Sequence, residues 1–128
     1  MATRRHVRQS VISILYAKDI GNIDIDDFKD EILADNKIKN KQYEFANSLL
    51  VGIDQNMKDI DDNISKNLSK RSIGDIGLIE KAILRLGTYE ILFGGTNKVV
   101  VINEAIEIAK ELCAPNSPKF LNAVLDKI

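Results

Sequence analysis

The sequence predicts an all-helical fold, six or seven helices in one compact body. Apolar residues recur at spacings of three and four along most of the chain, the mark of helices with one buried stripe. With 45% apolar and 29% charged residues, a chain of 128 residues can bury a real core without disulfides or metals. No 20–50-residue repeat, low-complexity tract or Pro- or Ser-rich linker divides it.

The first helix is set by Val7, Val11, Ile14 and Leu15, with Gly21 and Asn22 as its stop. A second runs from Asp24 or Asp26 to about Asp35, turning Ile25, Phe28, Ile32 and Leu33 inward. Its acidic first turn suits the positive end of the helix dipole. From Lys41 the stripe Ala46, Leu49, Leu50, Ile53, Met57, Ile60, Ile64 and Leu68 predicts either one long helix bent at Gly52 or two helices meeting there.

A fresh start lies near Ser72 to Asp75, and Ile76, Ile79, Ile83 and Leu86 continue to a stop at Gly94 and Gly95. Leu78, Leu84 and Ile91 make that segment apolar on several faces, so it is expected to be the central, most buried helix. The β-branched run Lys98 to Ile102 looks like a strand by propensity. Val101, Ala105, Ile108 and Leu112 carry a helical stripe through it, and a lone strand would leave its backbone unpaired. Cys113 to Ser117 is expected as a loop, with Ser117 the N-cap and Pro118 the first residue of a last helix lined by Leu121, Val124, Leu125 and Ile128.

The net charge of −1 hides an asymmetry: residues 1–18 carry Arg4, Arg5, Arg8 and Lys18 and no acid, whereas Asp19 to Asp35 is strongly acidic. Cations at a helix start oppose the dipole, each by about 0.3–1 kcal/mol at low salt. A bound phosphate would remove the conflict, since guanidinium forks and helix-start N–H groups both favour its oxygens. A solvated terminus is the alternative. Tyr16 could stack on a base, meet a partner or simply pack. Asn116 to Phe120 offers a helix start, Lys119 and an aromatic ring; it could clamp a nucleotide, or cap the helix with Phe120 in the core.

Little points to catalysis. Glu80 and Glu90 lie about 15 Å apart along their helix, too far for a paired-carboxylate device. Glu80, Lys81 and Arg85 are expected in surface or interhelical ion pairs, and Asn103 as a buried or half-buried hydrogen-bonding group. Cys113 has no neighbour that would lower its pKa, and beside the distant His6 it makes no metal site of known spacing. No phosphate loop, dinucleotide loop or His-Glu metal motif occurs, so neither cofactor nor metal is expected. A lone cysteine suits a reducing cytoplasm, and no apolar run approaches the roughly 20 residues of a membrane span.

Several blocks together resemble the NusB antitermination family. They are Arg4-Arg5-His6-Val7-Arg8 leading to Leu15-Tyr16, Ile79 to Arg85, Tyr89-Glu90-Ile91, Ile102 to Lys110, and Ser117 to Asp126. The third block is the most diagnostic, by its order and spacing relative to the Leu-Arg block and the Lys-Phe-x-Asn block. The resemblance implies about seven helices in two small packed bundles within one domain over 1–128, divided near 1–70 and 71–128. It also implies a non-enzymatic factor that binds the single-stranded boxA element of nascent RNA, notably in ribosomal RNA operons. Its partner would be a small-subunit ribosomal protein acting as NusE, with RNA polymerase engaged indirectly.

By that resemblance Arg4, Arg5, Arg8, Asn116, Lys119 and Phe120 belong to the RNA surface, and Tyr16 and Glu80 face the protein partner. Asn116 stands where the family usually has an acid, Ala123 where it usually has glycine, and Ser13 where glutamine is common. Self-association into a homodimer through an exposed partner surface stays open at this stage. So do two other readings: the RNA-binding part of a ribosomal RNA cytosine methyltransferase, and a purely protein-binding adaptor.

Overall fold

The computed structural model describes residues 3–21 and 24–128, so the expected stop at Asn22 lies outside the described residues. Seven α-helices are found among them: α1 (Arg4–Asp19), α2 (Ile25–Asp35), α3 (Lys41–Gln55), α4 (Met57–Lys66), α5 (Leu78–Leu92), α6 (Lys98–Leu112) and α7 (Ser117–Lys127). A 3-10 turn, Ile73–Asp75, precedes α5. Lys98 to Ile102 is helical: Val101 leads the buried stripe that Ala105 and Ile108 continue, whereas Val99, Val100 and the expected stripe residue Leu112 are exposed.

The core is one cluster that draws on every helix, from Val7 and Val11 through Ile53 and Leu84 to Leu121 and Leu125. At its centre lies α5, packed against α1, α3, α4, α6 and α7, as its many-sided apolar pattern predicts. Two long-range pairs fix the direction of α1 against it. Arg8 meets Glu90 and Asp19 meets Lys81, so α1 and α5 run antiparallel. Arg5 with Glu104 and Gln9 with Glu111 make α1 and α6 parallel.

Several local expectations shift. Phe28 is 48% exposed instead of inward. Ile25 and Leu33 are the buried pair of α2, and at 100° per residue Phe28 lies about 140° from Leu33, so one face cannot bury both. The break between α3 and α4 falls at Asn56, whose Nδ2 donates to the Gly52 carbonyl at 2.8 Å. Gly52 serves helix contact instead: a Cβ there would overlap the Tyr89 phenol of α5.

The start of α7 moves by one residue. Asn116 takes the cap position without a side-chain cap bond, and Ser117 turns its hydroxyl to donate to Glu80 Oε1 at 2.9 Å. Asn103 is exposed, with no side-chain hydrogen bond among the described residues. Lys81 and Arg85 do form interhelical pairs, with Asp19 and Asp61, but Glu80 takes no part in them. No helix of the described residues is long and apolar enough to cross a membrane.

Candidate nucleic-acid interface

At the start of α1 the Thr3 hydroxyl accepts from the His6 N–H at 3.1 Å, an N-cap that satisfies one orphan donor. The first turn carries no acid. Carboxylates from other helices answer much of the resulting conflict with the dipole. Arg8 is only 4% exposed and donates from Nε and Nη2 to Glu90 at 2.9 and 2.8 Å, a bidentate fork. Thr96 Oγ1 adds a third donor to Glu90 at 3.2 Å. Burial alone would lower the Arg8 pKa, but the hydrogen bond and charge of Glu90 outweigh it and the pKa is raised.

Arg5 is more open, its side chain 43% exposed, with Nε 2.7 Å from Glu104 Oε2. The hydrogen bond to Glu104 raises its pKa first, and the Glu104 charge next. Arg4 is exposed and lays its guanidinium 4.5 Å from the centre of the Phe45 ring on α3. The three arginines are therefore unequal. Arg4 faces solvent, Arg5 holds an exposed pair that a phosphate could replace, and Arg8 is committed to Glu90.

The opposite end of the α1–α5 pair holds the other candidates. Tyr16 sits in the last turn of α1 and Glu80 in the first turn of α5, and the antiparallel packing brings these turns to one end. Both are half-buried. Through Ser117, Glu80 is tied to the start of α7, where Asn116 and Lys119 are exposed and Phe120 is half-buried. The Arg71 guanidinium stacks 5.0 Å from the Phe120 ring centre. Arg71, Gly77, Glu80, Asn116 and Phe120 line a shallow cleft of about 140 Å³.

The structure thus places the candidates in two groups, roughly 16 Å apart measured along α1 from Arg5 to Tyr16. It also places Glu80 beside Asn116 and Phe120 instead of on a surface of its own. Sequence reading missed Arg71 and Phe45, the residues that orient Phe120 and Arg4. No local pattern announces a cation and a ring that meet from distant helices. Cys113 is half-buried, and desolvation first, with the Glu80 carboxylate next, pushes its thiol up to about 11. A thiol so held is a poor nucleophile near neutral pH.

Comparison with known proteins follows the same outline. A model described as the NusB family matches residues 5–128. A transcription antitermination protein NusB of Aliarcobacter butzleri is 52% identical over 128 residues, covering 100% of this chain and 98% of that protein. One of Campylobacter hominis is 48% identical, covering 100% and 97%. A solved NusB structure of T. maritima matches with a TM-score of 0.89 at 38% identity, over 98% of this chain and 89% of that one. A chain in a crystal structure of the antitermination factors NusB and NusE in complex with dsRNA matches at 0.85 and 28% identity, over 96% and 92%.

Proposed function

This chain belongs to the NusB family, and from that membership we propose that it is a transcription antitermination factor that binds the boxA element of nascent RNA together with NusE. The observation that carries the reading is the match over nearly the whole chain to a structure solved with NusE and dsRNA. By binding RNA and the ribosomal-protein partner together, it helps RNA polymerase pass terminators, notably in ribosomal RNA operons. It works by binding, without catalysis, in the cytoplasm where transcripts emerge.

Arg4 and Arg5 form the phosphate-binding part of α1, and Arg8 holds the helix in place behind them. Positioning comes from phosphate contacts, whereas selectivity needs base contacts. Phe120, backed by Arg71 and flanked by Asn116 and Lys119, supplies a ring and polar groups suited to an unstacked base. Tyr16 and Glu80 face the protein partner beside that cleft, so RNA and NusE would meet along one edge.

The test is a fluorescence-anisotropy titration of a labelled boxA RNA at two salt concentrations, with and without NusE. NusE is expected to strengthen binding by about tenfold or more, an effective gain from linked contacts. Arg4→Ala with Arg5→Ala should reduce the log–log salt slope by about 1.4, at roughly 0.7 per single-strand phosphate, with helicity unchanged. If NusE and this chain together retain no boxA RNA, the function fails. If the double variant binds like the parent, only the arginine assignment fails.

A further inference from the structure

We propose that the turn between α2 and α3 and the first residue of α3, with Lys37, Lys39 and Lys41, form a second phosphate-binding surface that extends the Arg4 end of the RNA interface. The inference rests on the RNA-binding reading above. Its own support is the placement of unneutralised charge.

Between Asp35 and Glu44 the chain reads Asn-Lys-Ile-Lys-Asn-Lys-Gln-Tyr, three cations and no acid. Ile38 is 2% exposed and anchors the turn in the core, while all three lysines are exposed. The backbone is held in an uncommon shape, with φ of 60° at Lys37 and 56° at Asn40. Left-handed residues other than glycine persist where the surroundings fix them, here by the buried Ile38 between them.

Packing joins this turn to the start of α1. Asn36 Nδ2 donates to Ser10 Oγ at 3.0 Å, and His6, Gln9, Ser10, Ser13 and Asn36 line an open groove of about 290 Å³. Lys41 precedes Phe45 by four residues on α3, so the two share a helix face. Phe45 is the ring on which Arg4 rests. Arg4, His6 and the three lysines therefore border one surface.

Seven of the other fifteen lysines and arginines are answered by carboxylates: Arg5, Arg8, Lys18, Lys58, Lys81, Arg85 and Lys110 make ion pairs. Among the described residues, Lys37, Lys39 and Lys41 make none, although Asp35 and Glu44 flank the turn. An open hollow of about 570 Å³ is lined by the three lysines with Asn40 and Gln42. Concentrating three ammonium groups on this turn and the start of α3 raises the local potential, which favours a polyanion following the surface. Single-stranded RNA leaving the Arg4 site is that polyanion, because Asn36 joins the turn to the groove beside His6 and Lys41 shares the helix face of Phe45, on which Arg4 rests.

The experiment compares Lys37→Ala/Lys39→Ala/Lys41→Ala with a control of equal charge loss, Lys58→Ala/Lys66→Ala/Lys127→Ala. Each is titrated, with NusE, against a labelled boxA RNA carrying about ten extra nucleotides on each side. The loop variant should lower the log–log salt slope by about 2 and weaken binding about tenfold at low salt, and the control should change the slope by less than about 0.5. Far-UV circular dichroism should be the same for all, since every altered side chain is exposed. A loop variant that keeps the parent slope, or a control that falls equally, overturns the proposal while leaving the RNA-binding reading intact. A parent protein that binds no RNA removes both.

Discussion

At Arg8 the fold itself supplies the counter-charge that the sequence suggested a phosphate would bring. Arg8 and Glu90 are 4% and 2% exposed, and the Glu90 carboxylate accepts from both Arg8 nitrogens and from Thr96. Removing one partner of such a pair leaves a buried charge without compensation, at a cost of about 3–5 kcal/mol. Arg8→Ala is therefore expected to lower the midpoint of urea unfolding sharply, and Arg8→Met with Glu90→Met to recover most of the loss. The recovery follows because two apolar side chains bring no desolvated charge. An Arg8→Ala variant as stable as the parent but as weak for RNA as Arg4→Ala would return Arg8 to the RNA surface.

At the scale of elements, Gly52 illustrates how closely α3 and α5 approach. Alanine is the better helix former by about 1 kcal/mol, which favours Gly52→Ala. Against this, its Cβ would occupy the space of the Tyr89 phenol, whose ring is stacked on Phe93 at 6.0 Å between centroids. Overpacking of this kind costs about 1–3 kcal/mol, so the substitution is expected to destabilise on balance. Because the phenol oxygen is the nearest atom, Tyr89→Phe should relieve part of the cost in the Gly52→Ala background. A double-mutant cycle from thermal melts measures it; additive effects would show that the two residues do not meet. The same glycine shows the limit of reading the chain alone. Periodicity located the helical stretches, because a buried stripe is a local pattern, but left α3 and α4 as one bent helix or two. It could not say whether Gly52 bends a helix or admits a ring, since the ring comes from another helix. The one-residue shift at Ser117 has the same origin, its hydroxyl drawn to Glu80 across the fold. Arg4, Arg5 and Arg8 were legible as a basic cluster, but their different fates were not, because Phe45, Glu104 and Glu90 lie on α3, α6 and α5.

Over the whole molecule, α5 decides how the two halves depend on each other. Residues 1–70 contribute α1, α3 and α4 to its surroundings, and residues 71–128 contribute α6 and α7. Most helical stability comes from packing an apolar face, so neither half keeps its helices if the other withdraws from α5. Polar ties cross the same boundary: Asp19 and Asp61 hold Lys81 and Arg85, and Arg8 holds Glu90. The protein is therefore expected to unfold in one cooperative transition. Tyrosine provides a probe in each half, with Tyr16 and Tyr43 in the first and Tyr89 in the second, and there is no tryptophan to obscure them. Near-ultraviolet tyrosine signals and far-ultraviolet helicity should melt together, with calorimetric and van't Hoff enthalpies equal. Two separated transitions would instead mean that one half stands without α5's other face. In that case Arg8→Ala should move only one of them, and the pair's contribution would belong to a single half and not to the junction.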